Sequence, residues 1–142
     1  MKKPPKRTLR LDLRTIREEL GLSQSELADL LAVSLRNIQS CEQEWRAPSP
    51  SLERSLILLL MAHRNGASMG KNACWKQADC PAGMRSGCIS FRSRQGHLCW
   101  LMTGTLCKGF RLRGWYDKMK MCMECDYFRL LLKGDLPVLP ER

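Results

Sequence analysis

The chain has 142 residues, a net charge of +10 and eight cysteines. Its longest apolar run, residues 56–62, is too short to span a bilayer. The first ten residues are basic, but the next ten carry charges where a secretory signal needs an apolar segment. We therefore expect a cytoplasmic protein with reduced thiols that binds neither a membrane nor a small-molecule substrate. So large an excess of basic residues favours an anionic partner, and nucleic acid is the commonest.

The positions of the cysteines divide the chain into two parts. Cys41 lies in the first part, whereas the other seven cysteines lie between residues 74 and 125. Domains this small have modest cores and often need a covalent or metal staple. The expected organisation is a basic arm (1–8), a helical domain (9–64), a linker (65–71), a cysteine-rich domain (72–130) and a tail (131–142).

Residues 9–64 have the apolar spacing of four short helices. In the first helix, apolar residues recur at Leu9, Leu13, Ile16 and Leu20. Small polar residues and glycine supply the expected ends: Gly21 closes the first helix, and Ser23, Ser34 and Ser49 cap the next three. Pro50 suits the first turn of the fourth helix, which we expect to reach about Arg64. Cys41 is expected to be a small core residue.

The second and third of these helices are separated by three residues, and the third has polar residues on its outer side, which predicts a helix-turn-helix. The stretch LRTIREELGLSQSELADLLAVSLRNIQSCEQEWRAPS resembles the lambda-repressor-like (XRE) class of bacterial regulators. The matching positions are Leu27, Ala28, Leu31, Val33, Ile38 and Glu42. The departures are Ala32 and Glu44, where that family often has glycine, and Cys41, where it has a larger apolar residue.

This resemblance implies a transcription regulator that binds a palindromic operator in double-stranded DNA as a homodimer. Gln24 matches a family glutamine that contacts phosphate. Arg36 is the leading candidate for a bidentate contact to guanine, with a phosphate contact as the alternative. The basic arm would add affinity that is independent of sequence. The expected DNA-binding residues are Gln24, Ser34, Leu35, Arg36, Asn37, Gln39, Ser40 and Arg46.

The fourth helix is rich in leucine and methionine. It is a candidate dimer face or contact to the second domain, with ordinary core packing as the alternative.

The cysteines of residues 72–130 have a pattern typical of metal ligands. A Cys-Trp pair occurs twice, and the sequence CMEC closes the set. CxxC places two thiolates on one tight turn, as tetrahedral zinc and iron–sulfur clusters require, and seven cysteines cannot all pair in disulfides within one chain. The candidate ligands are Cys122 and Cys125 first, then Cys74, Cys99 and Cys107, with Cys80 and Cys88 completing the set. If four of these thiolates hold the metal centre, the other three could hold a second metal, be redox-active or be reduced core cysteines.

Ligand spacing favours iron over zinc. Structural zinc sites usually pair two short knuckles, whereas this chain has one CxxC and otherwise scattered cysteines. A 4Fe–4S cluster tolerates such scatter, and Trp75 and Trp100 would either shield it or pack in the core. Zinc is the alternative, with His97 able to complete a mixed site. CMEC as a thiol–disulfide exchange site is disfavoured because no βαβ pattern accompanies it, so we do not expect an enzyme.

The segment NACWKQADC…GC…LCWLMTGTLCKG…CMECDYFRLL resembles the bacterial two-CW domain at all seven cysteine positions. By analogy this resemblance implies redox or gas sensing, and a zinc-stabilised structural or protein-interaction module is the alternative. The expected fold class is a mainly α N-terminal helix-turn-helix bundle plus a small, irregular, metal-stapled cysteine-rich C-terminal domain.

Overall fold

A computed structural model describes residues 10–66, 73–77, 80–93, 95–102, 104–112 and 114–140. Within these ranges the chain is mostly helical with one small antiparallel sheet, which is compatible with the mainly α part of the expected fold class. Two units divide the described residues. The helical unit contains residues 10–64 and 135–140, and the cysteine unit contains the described residues from 65 to 134. The basic arm, 1–8, and residues 67–71 of the expected linker lie outside the described residues.

The helical unit contains four helices: α1 (Leu13–Leu20), α2 (Gln24–Leu31), α3 (Leu35–Glu42) and α4 (Pro50–Asn65). Ser23 and Glu26 form the predicted capping box at the start of α2, and the Ser34 hydroxyl accepts a hydrogen bond from the Asn37 amide at the start of α3. The Ser49 hydroxyl accepts from the Leu52 amide, 3.2 Å away. Helix α1 begins later than the apolar spacing predicted, because Asp12 caps it through the Thr15 amide.

The core of the helical unit is made by the inward faces of its helices. Its fully enclosed side chains include Ile16, Leu27, Ile38, Leu56 and Leu60. Cys41 is buried among the core residues, as expected, and its thiol donates to Asn37 Oδ1. On the apolar fourth helix, Leu58 and Leu59 are only half-buried.

Residues 135–140, expected to belong to a tail, pair with the start of the helical unit. Leu11 and Val138 form an isolated antiparallel bridge. The Asp12 amide donates to the Pro137 carbonyl at 3.0 Å, and the Leu139 amide donates to the Arg10 carbonyl at 2.7 Å. The helical unit is therefore built from segments on both sides of the cysteine unit in the chain.

The cysteine unit is made of short elements. In chain order they are α5 (Cys74–Gln77), α6 (Ala82–Arg85), α7 (Ile89–Arg92), a 3-10 helix (Gly96–Leu98), β1 (Thr105–Cys107), β2 (Phe110–Leu112), α8 (Trp115–Met123) and α9 (Asp126–Leu132). The hairpin pairs Thr105 with Leu112 and Cys107 with Phe110. Elsewhere in the cysteine unit, the buried side chains include Trp100, Met119 and Phe128. The sequence predicted an irregular domain without long helices, whereas α8 and α9 are regular helices of nine and seven residues.

The turn between α2 and α3 places a residue other than glycine in the left-handed conformation. Ala32 closes α2 with a φ of 57°, at the position where the XRE pattern usually has glycine. A Cβ atom in this conformation costs about 1–2 kcal/mol because it approaches the following carbonyl oxygen. The backbone amides of Ala32 and Val33 still cap α2 through hydrogen bonds to Asp29 and Ala28. The turn therefore forms in spite of local strain.

Replacing Ala32 with glycine should raise the free energy of unfolding by about 1 kcal/mol, because glycine adopts this conformation without the steric cost. Urea denaturation followed by circular dichroism measures the change. Ala62→Gly is the matched control: Ala62 is exposed within α4, so the same chemical change should lower stability by about 1 kcal/mol. An Ala32→Gly variant no more stable than the wild type would contradict the assignment of strain.

Candidate functional site

All seven cysteines predicted as metal ligands line one cavity of about 400 Å³ in the cysteine unit. The remaining wall is largely apolar and includes Trp75, Phe91, Trp100, Tyr127 and Phe128. Trp75 packs edge-on against Phe91 with ring centroids 5.0 Å apart, and Trp100 lies 6.2 Å from Phe128. His97, considered for a mixed zinc site, is not among the described residues that line the cavity.

Short elements bring these cysteines together. Cys74 opens α5 and Cys99 follows the 3-10 helix, whereas Cys107 ends β1. At the CMEC sequence, Cys122 lies in the last turn of α8 and Cys125 caps α9, and the Cys125 amide donates to the Cys122 carbonyl at 2.9 Å. Cys80 lies just before α6 and Cys88 just before α7. Three of the seven cysteines therefore lie within helices or strands of the unit, and the other four lie next to the ends of such elements.

Gly96 allows the two Cys-Trp segments to approach each other. A Cβ atom at Gly96 would lie 2.8 Å from Ala73 Cα and 2.8 Å from the Cys74 amide nitrogen, closer than real contacts permit. Only glycine lets the backbone before Cys99 pack against the backbone at Cys74. The Cys74 thiol also lies 3.4 Å from the buried Ser90 hydroxyl. Sequence inspection missed Gly96, whose role depends on this long-range approach.

Apart from the cysteines, the charged side chains on the cavity wall are positive. Lys118 is fully buried, and its ammonium donates to the Thr105 hydroxyl and to Cys107 Sγ, 3.7 Å away. Arg85 donates to the Cys80 carbonyl at 3.0 Å, and Lys108 also lines the cavity. Among the described lining residues there is no Asp or Glu. Because a buried charge is costly unless it is compensated, this wall suits an anionic occupant.

The thiols differ in the ease with which they lose a proton. A hydrogen bond from Cys99, supported by Ser90 and by the Lys118 charge, lowers the pKa of Cys74 to about 6. Burial raises the pKa of Cys122 to about 12, although the Lys118 charge opposes that rise. Burial also raises the pKa of Cys80. Binding a metal through Cys122 would therefore release a proton at neutral pH, so occupancy should improve as the pH rises.

The seven cysteines share the lining of one cavity. Among the described residues, no three His, Cys, Asp or Glu side chains are arranged to hold a single metal ion. The cavity of about 400 Å³ corresponds to the volume of about thirteen water molecules. This geometry has room for a group of several atoms.

The helical unit presents the outer side of α3 to solvent. Leu35 and Arg36, at the start of this helix, are exposed, and Arg46 is exposed beyond its end. Asn37, Gln39 and Ser40 are half-buried. Ser34 is exposed, but its hydroxyl caps α3. Leu35 and Arg36 are thus the most accessible of the expected DNA-binding residues on the helix itself.

Glu42 connects the first three helices. Its carboxylate, whose side chain is fully buried, accepts from Arg17 Nη2 at 2.9 Å and Nε at 3.0 Å, and from Arg14 Nε at 3.3 Å. It also accepts from Gln24 Nε2 at 3.2 Å. The structure therefore places the Gln24 amide, expected to contact phosphate, against the carboxylate that positions α3. An acidic residue at this place in the family pattern has a structural reason here.

Glu42→Gln should lower the free energy of unfolding by about 3 kcal/mol at pH 7, because the Arg17 guanidinium would face a neutral amide. Burial raises the pKa of Glu42, but hydrogen bonds from Arg17 and Gln24 outweigh that effect and leave it below the ordinary 4.5. This stabilisation is therefore present above pH 4.5 and is lost as the pH falls through the folded-state pKa.

Urea denaturation of the wild type and of Glu42→Gln between pH 7 and pH 3 measures this effect, and the two stabilities should converge as the pH falls. Glu18→Gln, on the exposed side of α1, is the control and should change stability by less than about 0.5 kcal/mol. A difference between wild type and Glu42→Gln that stayed constant over this range would contradict the role given to the ionised carboxylate.

Gly96→Ala should lower the free energy of unfolding of the cysteine unit by about 2 kcal/mol, because the added methyl group meets backbone atoms that cannot move alone. Thermal unfolding followed by near-ultraviolet circular dichroism of the tryptophans is the measurement. Gly83→Ala is the control, since a Cβ atom there has no neighbour within 4 Å. Equal effects of the two substitutions would show that the close approach at Gly96 is not a constraint.

Comparisons with known proteins gave no match to a family model, to a curated protein or to a solved structure. No helix in the part of the chain that the structure describes has both the length and the apolarity to cross a membrane.

Proposed function

We propose that the chain is a cytoplasmic DNA-binding transcription regulator whose cysteine unit holds an iron–sulfur cluster that responds to redox state or to a gas. The observation that carries this proposal is the cavity of about 400 Å³ with seven cysteines and a positive wall. Thiolate-bound iron–sulfur clusters carry a net negative charge that such a wall would offset, and they accept ligands from scattered positions. The resemblance to the two-CW domain supports the same conclusion by analogy.

The size of the cavity favours a cluster over a single ion. Zinc binds thiolates at about 2.3 Å, so four zinc ligands must converge on one point. The seven described cysteines line a cavity of about 400 Å³. Aromatic residues of the wall, with Trp100 and Phe128 buried, would exclude water and so influence the reduction potential. When bound, the cluster would supply a reversible one-electron change.

Zinc is a second candidate because of the CMEC turn. Cys122 and Cys125 lie on one tight turn closed by the hydrogen bond between Cys125 N and Cys122 O, as in a zinc knuckle. In that case the cysteine unit would be a structural or protein-interaction module without a sensing role. The DNA-binding proposal for the helical unit would be unaffected.

The proposal for the helical unit is that α2 and α3 are a helix-turn-helix of the XRE class. Three residues separate these helices, and the N-terminal end of α3 exposes Leu35 and Arg36, where recognition helices contact bases. The net charge of +10 suits a polyanionic partner. A homodimer would place two recognition helices on a palindromic operator.

The state of the cluster would be coupled to DNA binding by the helical unit. The cysteine unit is joined by the chain to the helical unit at both of its ends, near residues 64 and 135. Loss or oxidation of the cluster would change the order of residues 72–130 and, through these connections, the dimer geometry presented to DNA. Such a signal shifts DNA affinity only as far as the two states differ in operator binding.

Protein purified without oxygen should be brown, absorb near about 400 nm and contain about four irons and four sulfides per chain. Absorption spectroscopy with iron, sulfide and zinc analysis makes the measurement. Cys122→Ser should lose most of the iron, whereas Cys41→Ala should keep it because Cys41 lies in the helical unit. Colourless protein with one zinc per chain would reject the cluster and support the second candidate.

Arg36→Ala should weaken binding to the preferred DNA sequence by about tenfold to a hundredfold, the value of one bidentate contact to guanine. The operator would first be selected from random DNA with the full chain, and affinity then measured by fluorescence anisotropy. Arg129→Ala, on the exposed side of α9, is the control and should change affinity by less than about twofold. An Arg36→Ala variant that weakens all sequences equally would support the phosphate contact and reject base recognition by Arg36.

A further inference from the structure

Lys118 is a buried cation among sulfurs. It lies in α8, one helical turn before Cys122, and its side chain is fully enclosed. Its ammonium donates to the hydroxyl of Thr105, which is itself buried, and to Cys107 Sγ at 3.7 Å. The Thr105 hydroxyl lies 3.6 Å from the same sulfur. Lysine, hydroxyl and thiol thus form one connected group on the cavity wall.

No carboxylate balances this ammonium among the described residues of the cavity wall. A lysine held away from water without an anion is destabilising, and the neutral Thr105 hydroxyl compensates only in part. The groups around it that can become anionic are cysteine sulfurs. Cys107 Sγ accepts from the ammonium at 3.7 Å, and Cys122 lies one helical turn after Lys118 in α8.

The other cations of the wall are placed differently. Lys108 is exposed in the turn of the hairpin, where water screens its charge. Arg85 is half-buried, donates to the carbonyls of Cys80 and Trp75 and lies over the Phe91 ring. Lys118 is therefore the cation of this wall whose charge acts on the sulfurs with least screening.

We propose that Lys118 raises the reduction potential of the cluster, because it holds a buried ammonium against the cysteine sulfurs that bind the cluster. This inference rests on the proposed iron–sulfur function. Reduction adds negative charge, so a fixed positive charge and an N–H donor to sulfur both favour the reduced form. Lys118 would thereby set the range of redox conditions to which the regulator responds.

The test is a redox titration of the full chain, purified without oxygen and followed by electron paramagnetic resonance. Lys118→Met keeps the length and most of the volume of the side chain but removes its charge. It should retain iron and sulfide, and its equilibrium constant for reduction should fall at least tenfold, which is about 59 mV for one electron. Lys120→Met, in the same helix but exposed, should stay within twofold of the wild type. Lys118→Arg, which keeps the positive charge, should keep much of the wild-type reduction potential.

A Lys118→Met protein that keeps its cluster and reduces within twofold of the wild type would overturn the inference. If Lys118→Met does not fold or load, wild-type protein labelled with ¹⁵N-lysine decides. Pulsed electron paramagnetic resonance of the reduced cluster should then detect a lysine nitrogen, also in a Lys108→Met background, and absence of that coupling rejects the inference. A wild type without iron and sulfide rejects the proposed function first, a result separate from any comparison of variants.

Discussion

A buried positive charge on the wall of the cavity that the seven cysteines line is the constraint on which the cysteine unit depends. Lys118 has no exposed surface, and its neighbours are a hydroxyl and sulfurs rather than carboxylates. The charge is tolerable only if the sulfurs carry compensating negative charge, which metal binding would fix permanently at neutral pH. Without a metal, burial raises the pKa of Cys122 to about 12, so this thiol stays protonated at neutral pH and does not supply that charge.

The helical unit also has a buried charge, but there the chain itself supplies the compensating groups. The buried carboxylate of Glu42 accepts from Arg17 and Gln24, so α1, α2 and α3 share one charged junction. Residues 135–140 extend this unit by pairing with residues 10–12. The chain thus returns to its first unit after building the second. The cysteine unit is therefore covalently connected to the helical unit at both of its ends.

Local signals account for what the sequence predicted well. Capping by Ser23, Ser34 and Ser49 depends on neighbours three residues away, so it is readable from short stretches. The later start of α1, the close approach at Gly96 and the pairing of residues 135–140 depend on distant residues and were not predictable in this way. Lys118 precedes Cys122 by four residues, a helical spacing that would have indicated their proximity had α8 been predicted.

The central claim is that the cysteines enclose a centre of several metal atoms. X-ray absorption at the iron and zinc edges of the chain, purified without oxygen, tests it most directly. We expect iron with a shell of sulfur atoms and, beyond that shell, scattering from neighbouring iron atoms. Zinc surrounded by sulfur at about 2.3 Å, with no metal neighbour, would contradict it.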